Sequence, residues 1–157
     1  MTFDRLVSAE RQLDRTHAYF PRIDAKMSAL LAIGAAEAAT MAINLSPGDL
    51  ALWYIDIPGA AFLLLVIIFF WNLYQCASPH LKGGSQSIVY FREIAKRTEA
   101  NFIREYGAID EPELLRDISA QIWRNSQIVN AKFESLKIAT TLLLVSSLPW
   151  IITLSAA

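Results

Sequence analysis

The sequence is poor in the residues that most catalytic and secreted folds rely on. It has one cysteine, Cys76. No disulfide can form within the chain, and no oxidising compartment is implied. Its two histidines, His17 and His80, would need several further ligands to make a zinc site. His80 follows Cys76 by four positions, but the intervening Pro79 spoils a shared helical face. No strand pattern is present, so no glycine-rich phosphate loop can follow one. These absences lead us to expect no enzyme, no metal and no cofactor. Charge imbalance is missing too: 14 Lys and Arg stand against 15 Asp and Glu, for a net charge of −1. Such a balance predicts no nucleic-acid partner. There is no internal repeat. The first residues carry Asp4, Glu10 and Asp14 among arginines and lack an apolar core, so a secretory signal is not expected there.

Apolar residues are abundant instead. They make up 54% of the 157 residues, a bias that points to a small membrane protein rather than a soluble domain. Ile57 to Tyr74 reads IPGAAFLLLVIIFFWNLY, and no charge falls between Asp56 and Lys82. A helix rising about 1.5 Å per residue needs roughly 20 apolar residues to cross about 30 Å of hydrocarbon. Trp53 and Tyr54 at one end and Trp71 and Tyr74 at the other suit the two lipid–water interfaces. Met27 to Leu45 is a second apolar run with one charge, Glu37, and many alanines. Its small side chains predict close packing against other helices. A third run, Ile138 to Leu154, carries no charge.

The remaining segments read as amphipathic helix. In residues 2–20, Phe3, Leu6, Leu13 and Phe20 oppose Arg5, Arg11, Asp14 and Arg15; Pro21 is expected to break this helix, with a restart at Asp24 and Lys26. Loops are expected at Ser46–Asp49 and at Ser78–Ser85. Residues 86–106 return to helical spacing through Ile88, Phe91, Ala95, Phe102 and Tyr106. A last helix starts where Asp110 caps Glu111-Pro112-Glu113, and nothing interrupts it before the third span. The expected fold is an all-α membrane protein. It has an N-terminal helix in 1–22, spans at 25–45, 53–76 and 137–155, and a cytosolic helical layer over 78–136, with the last helix continuous from cytosol into membrane. Five Lys and Arg precede the first span and nine lie between the second and third, with none in the short outer loop or the tail. Positive charge stays inside, which predicts a cytoplasmic N-terminus and a periplasmic C-terminus in the inner membrane.

Glu37 is costly at mid-bilayer unless neutral, paired or wet. Counting eleven residues outward from Lys26 and from Lys137 aligns it with Leu148, beside Ser146 and Ser147. Two readings stand: a neutral Glu37 that bonds those serines and fixes packing, or copies of Glu37 lining a conductive path in an oligomer. In the cytosolic layer, Gln121, Arg124, Asn125 and Lys132 cluster on the last helix, and Tyr90, Arg92 and Lys96 on the preceding one. Cations for phosphate, amides for a base edge and a ring for stacking are what a nucleotide needs. Any solvated helical pair would offer similar groups.

Three pieces resemble the transmembrane effectors (PycTM) of bacterial Pycsar anti-phage systems. They are Tyr19-Phe20-Pro21-Arg22-Ile23-Asp24-Ala25-Lys26, Ile88-Val89-Tyr90-Phe91-Arg92-Glu93-Ile94-Ala95-Lys96, and the run through Gln121, Asn125, Ile128, Lys132 and Phe133 into the last span. Asp24, Lys26 and Phe91 belong to the shared pattern. Pro21 and Glu37 depart from it. The resemblance implies an effector that answers cyclic CMP or cyclic UMP from a partner cyclase and compromises the inner membrane; the output we expect is a rearrangement of a homo-oligomer that leaks ions. From the residue chemistry, the phosphate would fall to Lys96, Arg124 or Lys132 and the base to Asn125 or Gln121. The rival expectation is a constitutive membrane scaffold or channel subunit that assembles partners through its cytosolic helices.

Overall fold

A computed structural model describes residues 4–46, 52–78 and 84–156. Phe3, His80, Lys82 and most of the two expected loops lie outside these residues. Six helices follow one another: α1 (Arg5–His17), α2 (Tyr19–Asn44), α3 (Trp53–Ala77), α4 (Phe91–Ile94), α5 (Glu99–Ala108) and α6 (Glu111–Ala156). Among the described residues there is no strand, so the all-α expectation holds. Arg5–Asn44, Trp53–Ala77 and Glu111–Ala156 each contain a stretch long and apolar enough to cross a membrane.

Local chemistry explains where the helices start and stop. Asp4 caps α1 by accepting from the N–H groups of Leu6 and Val7. The break between α1 and α2 falls at Ala18, not at Pro21 as expected. Pro21 has no N–H to return to the His17 carbonyl, so the interruption appears just upstream of it. The ring itself sits in the first turn of α2, where a missing donor costs little. Asp110 Oδ1 accepts from Glu113 N at 2.9 Å, and α6 then runs 46 residues without a break, as expected. The helix expected over 86–106 is not continuous. Residues 84–90 form a turn, α4 is a single short helix, and Thr98 caps a separate α5 by accepting from Asn101 N. The Ile88 and Val89 amides bond to side chains instead of continuing a helix.

The described residues divide into two units. Those within Met1–Pro21 and His80–Asn130 form the first; those within Arg22–Pro79 and Ala131–Ala157 form the second. Helix α6 supplies residues to both. The first unit buries Thr16, Ser87, Ile88, Ile118, Gln121 and Val129, so half of its buried set is polar. The second unit packs α2, α3 and α6 around two apolar clusters. Phe69, Leu73, Ala139 and Leu143 form one, with Met27 and Leu30 against it. Met41, Phe62 and Val66 form the other, with Ala38 and Trp150 against it. Gly34 makes the first cluster possible: a Cβ there would lie 2.3 Å from Cε1 of the fully buried Phe69 ring. The lipophilic α3 leaves Leu63, Leu64 and Ile67 outward, as a lipid-facing helix should.

Candidate functional site: a tied turn with an unmet guanidinium

The turn over residues 84–90 carries the densest polar network in the first unit. Gln86 has φ of 66°, the left-handed region, and is the sole described non-glycine residue with positive φ. Backbone of this kind costs about 1 kcal/mol or more and persists only where its surroundings enforce it. Here they do. Asp117 Oδ2 accepts three bonds at once, from Ser87 Oγ at 2.8 Å, Ile88 N at 2.9 Å and Val89 N at 3.2 Å. Ser87 Oγ in turn accepts from Val89 N, Tyr90 N and Gln121 Nε2. Arg97 holds the other side: Nη1 and Nη2 donate to the Ser87 and Gln86 carbonyls at 2.8 Å, while Nε donates to Glu105. Glu93 accepts from Gln86 N and from the Lys96 ammonium. The Lys96 bond first, and the Gln86 N–H second, hold the Glu93 carboxyl below the usual carboxylate range.

Against this saturation, two donors stand out. Among the described residues, Arg124 Nη1 and the Tyr90 hydroxyl oxygen are buried and have no hydrogen-bond partner. Buried polar groups almost always find one, so each exception calls for an explanation. Gly84 is part of it. A Cβ on Gly84 would lie 2.1 Å from Arg124 Nη1 and 2.4 Å from Nη2, so the bare glycine backbone is what admits the guanidinium. A buried N–H of a guanidinium left idle suits an anionic oxygen, of a carboxylate or a phosphate alike.

The residues expected to bind ligand separate on this geometry. Tyr90, Arg124 and Gln121 belong to the turn and the α6 face that carries it. Gln121 is buried, and its amide N–H serves Ser87. Asn125 contacts the His17 ring nitrogen at 2.9 Å. Arg92 and Lys96 are exposed around α4, and Lys96 pairs with Glu93. Phe91 is exposed, with its ring edge-on to Tyr90. Lys132 does not join them. It belongs to the second unit, where its buried ammonium sits 3.0 Å from Asp24 Oδ1. Asp24 is thereby a partner for Lys132, and Lys26 is exposed on the same helix. Sequence reasoning passed over Ser87, Arg97 and Asp117. Asp117 shares an α6 stripe with Gln121 and Arg124, at i, i+4 and i+7, and that spacing was a usable signal.

Glu37 lies in the second unit. Ser147 Oγ is 3.0 Å from Glu37 Oε1, and Trp150 Nε1 donates to the Glu37 main-chain carbonyl at 3.0 Å. Ser146 is fully buried and donates to the Leu143 carbonyl within α6. Among the described residues no cluster of three or more His, Cys, Asp or Glu could hold a metal.

No curated protein and no solved structure matches this chain. Residues 8–157 match the family described as the Pycsar effector protein domain, PycTM. With three membrane-length helices and nearly the whole chain matched, the protein belongs to the PycTM family of Pycsar anti-phage effectors and is a multi-pass inner-membrane protein.

Proposed function

We propose that this effector binds a cyclic pyrimidine mononucleotide, cyclic CMP or cyclic UMP, in its first unit, and that binding permeabilises the inner membrane without any catalytic step. The observation that carries the reading is the idle, buried Nη1 of Arg124. A cyclic mononucleotide presents one anionic phosphodiester, which supplies the acceptor that Arg124 lacks. The Tyr90 hydroxyl is a second donor for the same ligand, and Asn125, whose contact with His17 is exposed to water, is the base-edge group. The nucleotide would come from a partner cyclase, in keeping with the family.

Transmission follows from one element. Helix α6 runs unbroken from Glu111 to Ala156 and carries Asp117, Gln121 and Arg124 on the way to its apolar half. A ligand moves such a helix only through different affinities for its two arrangements. The output in this proposal is an oligomeric rearrangement in the bilayer that leaks ions.

Two measurements test it. Calorimetry on detergent-solubilised protein should show binding of cyclic CMP or cyclic UMP, weakened by about tenfold or more in Arg124→Ala, equivalent to about 1.4 kcal/mol. Liposomes carrying the full chain should release trapped dye when that nucleotide is added. Equal binding by Arg124→Ala, no binding of either nucleotide, or nucleotide-independent leakage would each defeat the proposal. The last outcome is what a constitutive channel subunit would give.

A further inference from the structure

Lys132 sits where α6 enters the second unit, two positions past Asn130, the last residue that α6 gives to the first. Its ammonium lies 3.0 Å from Asp24 Oδ1 of α2. The Lys132 side chain is 8% exposed and that of Asp24 52%. Helix α3 reaches the same residue: the fully buried Cys76 Sγ–H donates to the Lys132 main-chain carbonyl at 3.6 Å. Helices α2 and α3 therefore both bond to this one position of α6. Net stability does not account for the ion pair. Desolvating two charges offsets most of their attraction, and apolar side chains of similar volume are often as stable in such a place. What a buried pair does supply is a preference between arrangements.

The unequal exposure gives that preference a direction. If the pair separates, the Asp24 carboxylate is solvated where it stands. The Lys132 ammonium is not, and it reaches water only if α6 turns and carries the lysine stem outward. The Asp24 carboxylate is what makes the inward setting of Lys132 stable. We propose that the Asp24–Lys132 pair is an autoinhibitory latch that holds α6 in the resting arrangement of the membrane-spanning helices. In the second arrangement the pair is open and Lys132 faces water. The latch rests on the reading above that α6 rearranges to leak ions, but not on which ligand drives it. The two partners then act with opposite sign. Asp24→Asn strands the ammonium in the resting arrangement and favours the open one. Lys132→Met removes the charge that gains from water and favours the resting one.

The full chain in phospholipid vesicles, without nucleotide, tests this by two readouts. Asp24→Asn should release trapped dye about tenfold faster than the wild type, and Lys132→Met no faster. Cys76, the single cysteine, reports the same movement through its buried thiol. N-ethylmaleimide should label it faster than in the wild type in Asp24→Asn and more slowly in Lys132→Met. Changes of the same direction in both variants, or none in either, overturn the latch, because a pair that served stability alone would loosen the helices from either side. Should Asp24→Asn fail to reconstitute, Lys132→Met decides: Cys76 labelling equal to or faster than in the wild type overturns the latch. If the wild type releases no dye with cyclic CMP or cyclic UMP while Asp24→Asn releases it unaided, the latch stands and the nucleotide reading falls.

Discussion

At the scale of single residues, the first unit is governed by which donors have acceptors. Gly84→Ala places a methyl against the Arg124 guanidinium. The guanidinium ends a flexible chain and can swing away, so the melting temperature should change little. Nucleotide affinity should fall about as far as in Arg124→Ala, roughly tenfold. Asp117→Asn is different in kind. The carboxylate that takes three bonds at one oxygen becomes an amide, and the Ser87–Val89 turn loses its anchor. The expected cost is about 1–3 kcal/mol, read as a lower unfolding temperature in detergent. In the second unit the Asp24–Lys132 pair is asymmetric: the lysine is buried and the aspartate half exposed. Asp24→Asn strands a buried ammonium, while Lys132→Met leaves a carboxylate that water can solvate. Asp24→Asn should therefore be the more destabilising of the two by thermal melt.

Titration acts at this scale through Glu93. Its carboxyl is held below the usual range by Lys96 and then by the Gln86 N–H. A depressed carboxyl contributes its tie above the ordinary carboxylate range and loses it as pH falls through the folded value. Hydrogen exchange of the Gln86 amide, corrected for intrinsic pH dependence, should therefore accelerate in acid. In Glu93→Gln that acceleration should be absent.

At the scale of elements, α2, α3 and α6 differ in what they tolerate. Gly34→Ala drives a Cβ into Phe69, a rigid and fully buried ring, and overpacking of this sort costs about 1–3 kcal/mol. Apolar swaps at Leu64 or Ile67, on the exposed face of α3, should leave stability in vesicles within experimental scatter. Helix α6 is the element on which the proposed mechanism depends. Asn130→Pro removes a hydrogen bond where α6 leaves the first unit and disrupts the helix at a cost of about 3 kcal/mol. If α6 transmits the signal, this variant should keep nucleotide binding and lose nucleotide-dependent dye release.

At the scale of the whole molecule, periodicity and hydropathy sufficed for the three membrane-length helices and the unbroken α6. Hydrocarbon thickness demands a length, and backbone bonds in lipid must close within the helix. Both requirements act on composition over many residues, so they show in a linear chain. The Asp110 cap and the Glu37–Ser147 alignment were legible for the same reason, because a helix has a known rise per residue. The turn at 84–90 was not legible as a turn. Ile88, Phe91 and Ala95 keep helical spacing, but Asp117, some thirty residues away, captures the amides that a helix would need. Lys132 looked like a phosphate ligand because a free lysine is one; folding brings it to Asp24, 108 positions distant. Long-range pairing of this kind depends on which faces of the helices meet, and residue spacing within one segment carries no information about that. Spans, caps and helix continuity are thus set locally by the chain, whereas which cation lacks an acceptor is decided by tertiary contacts that consume the other acceptors first.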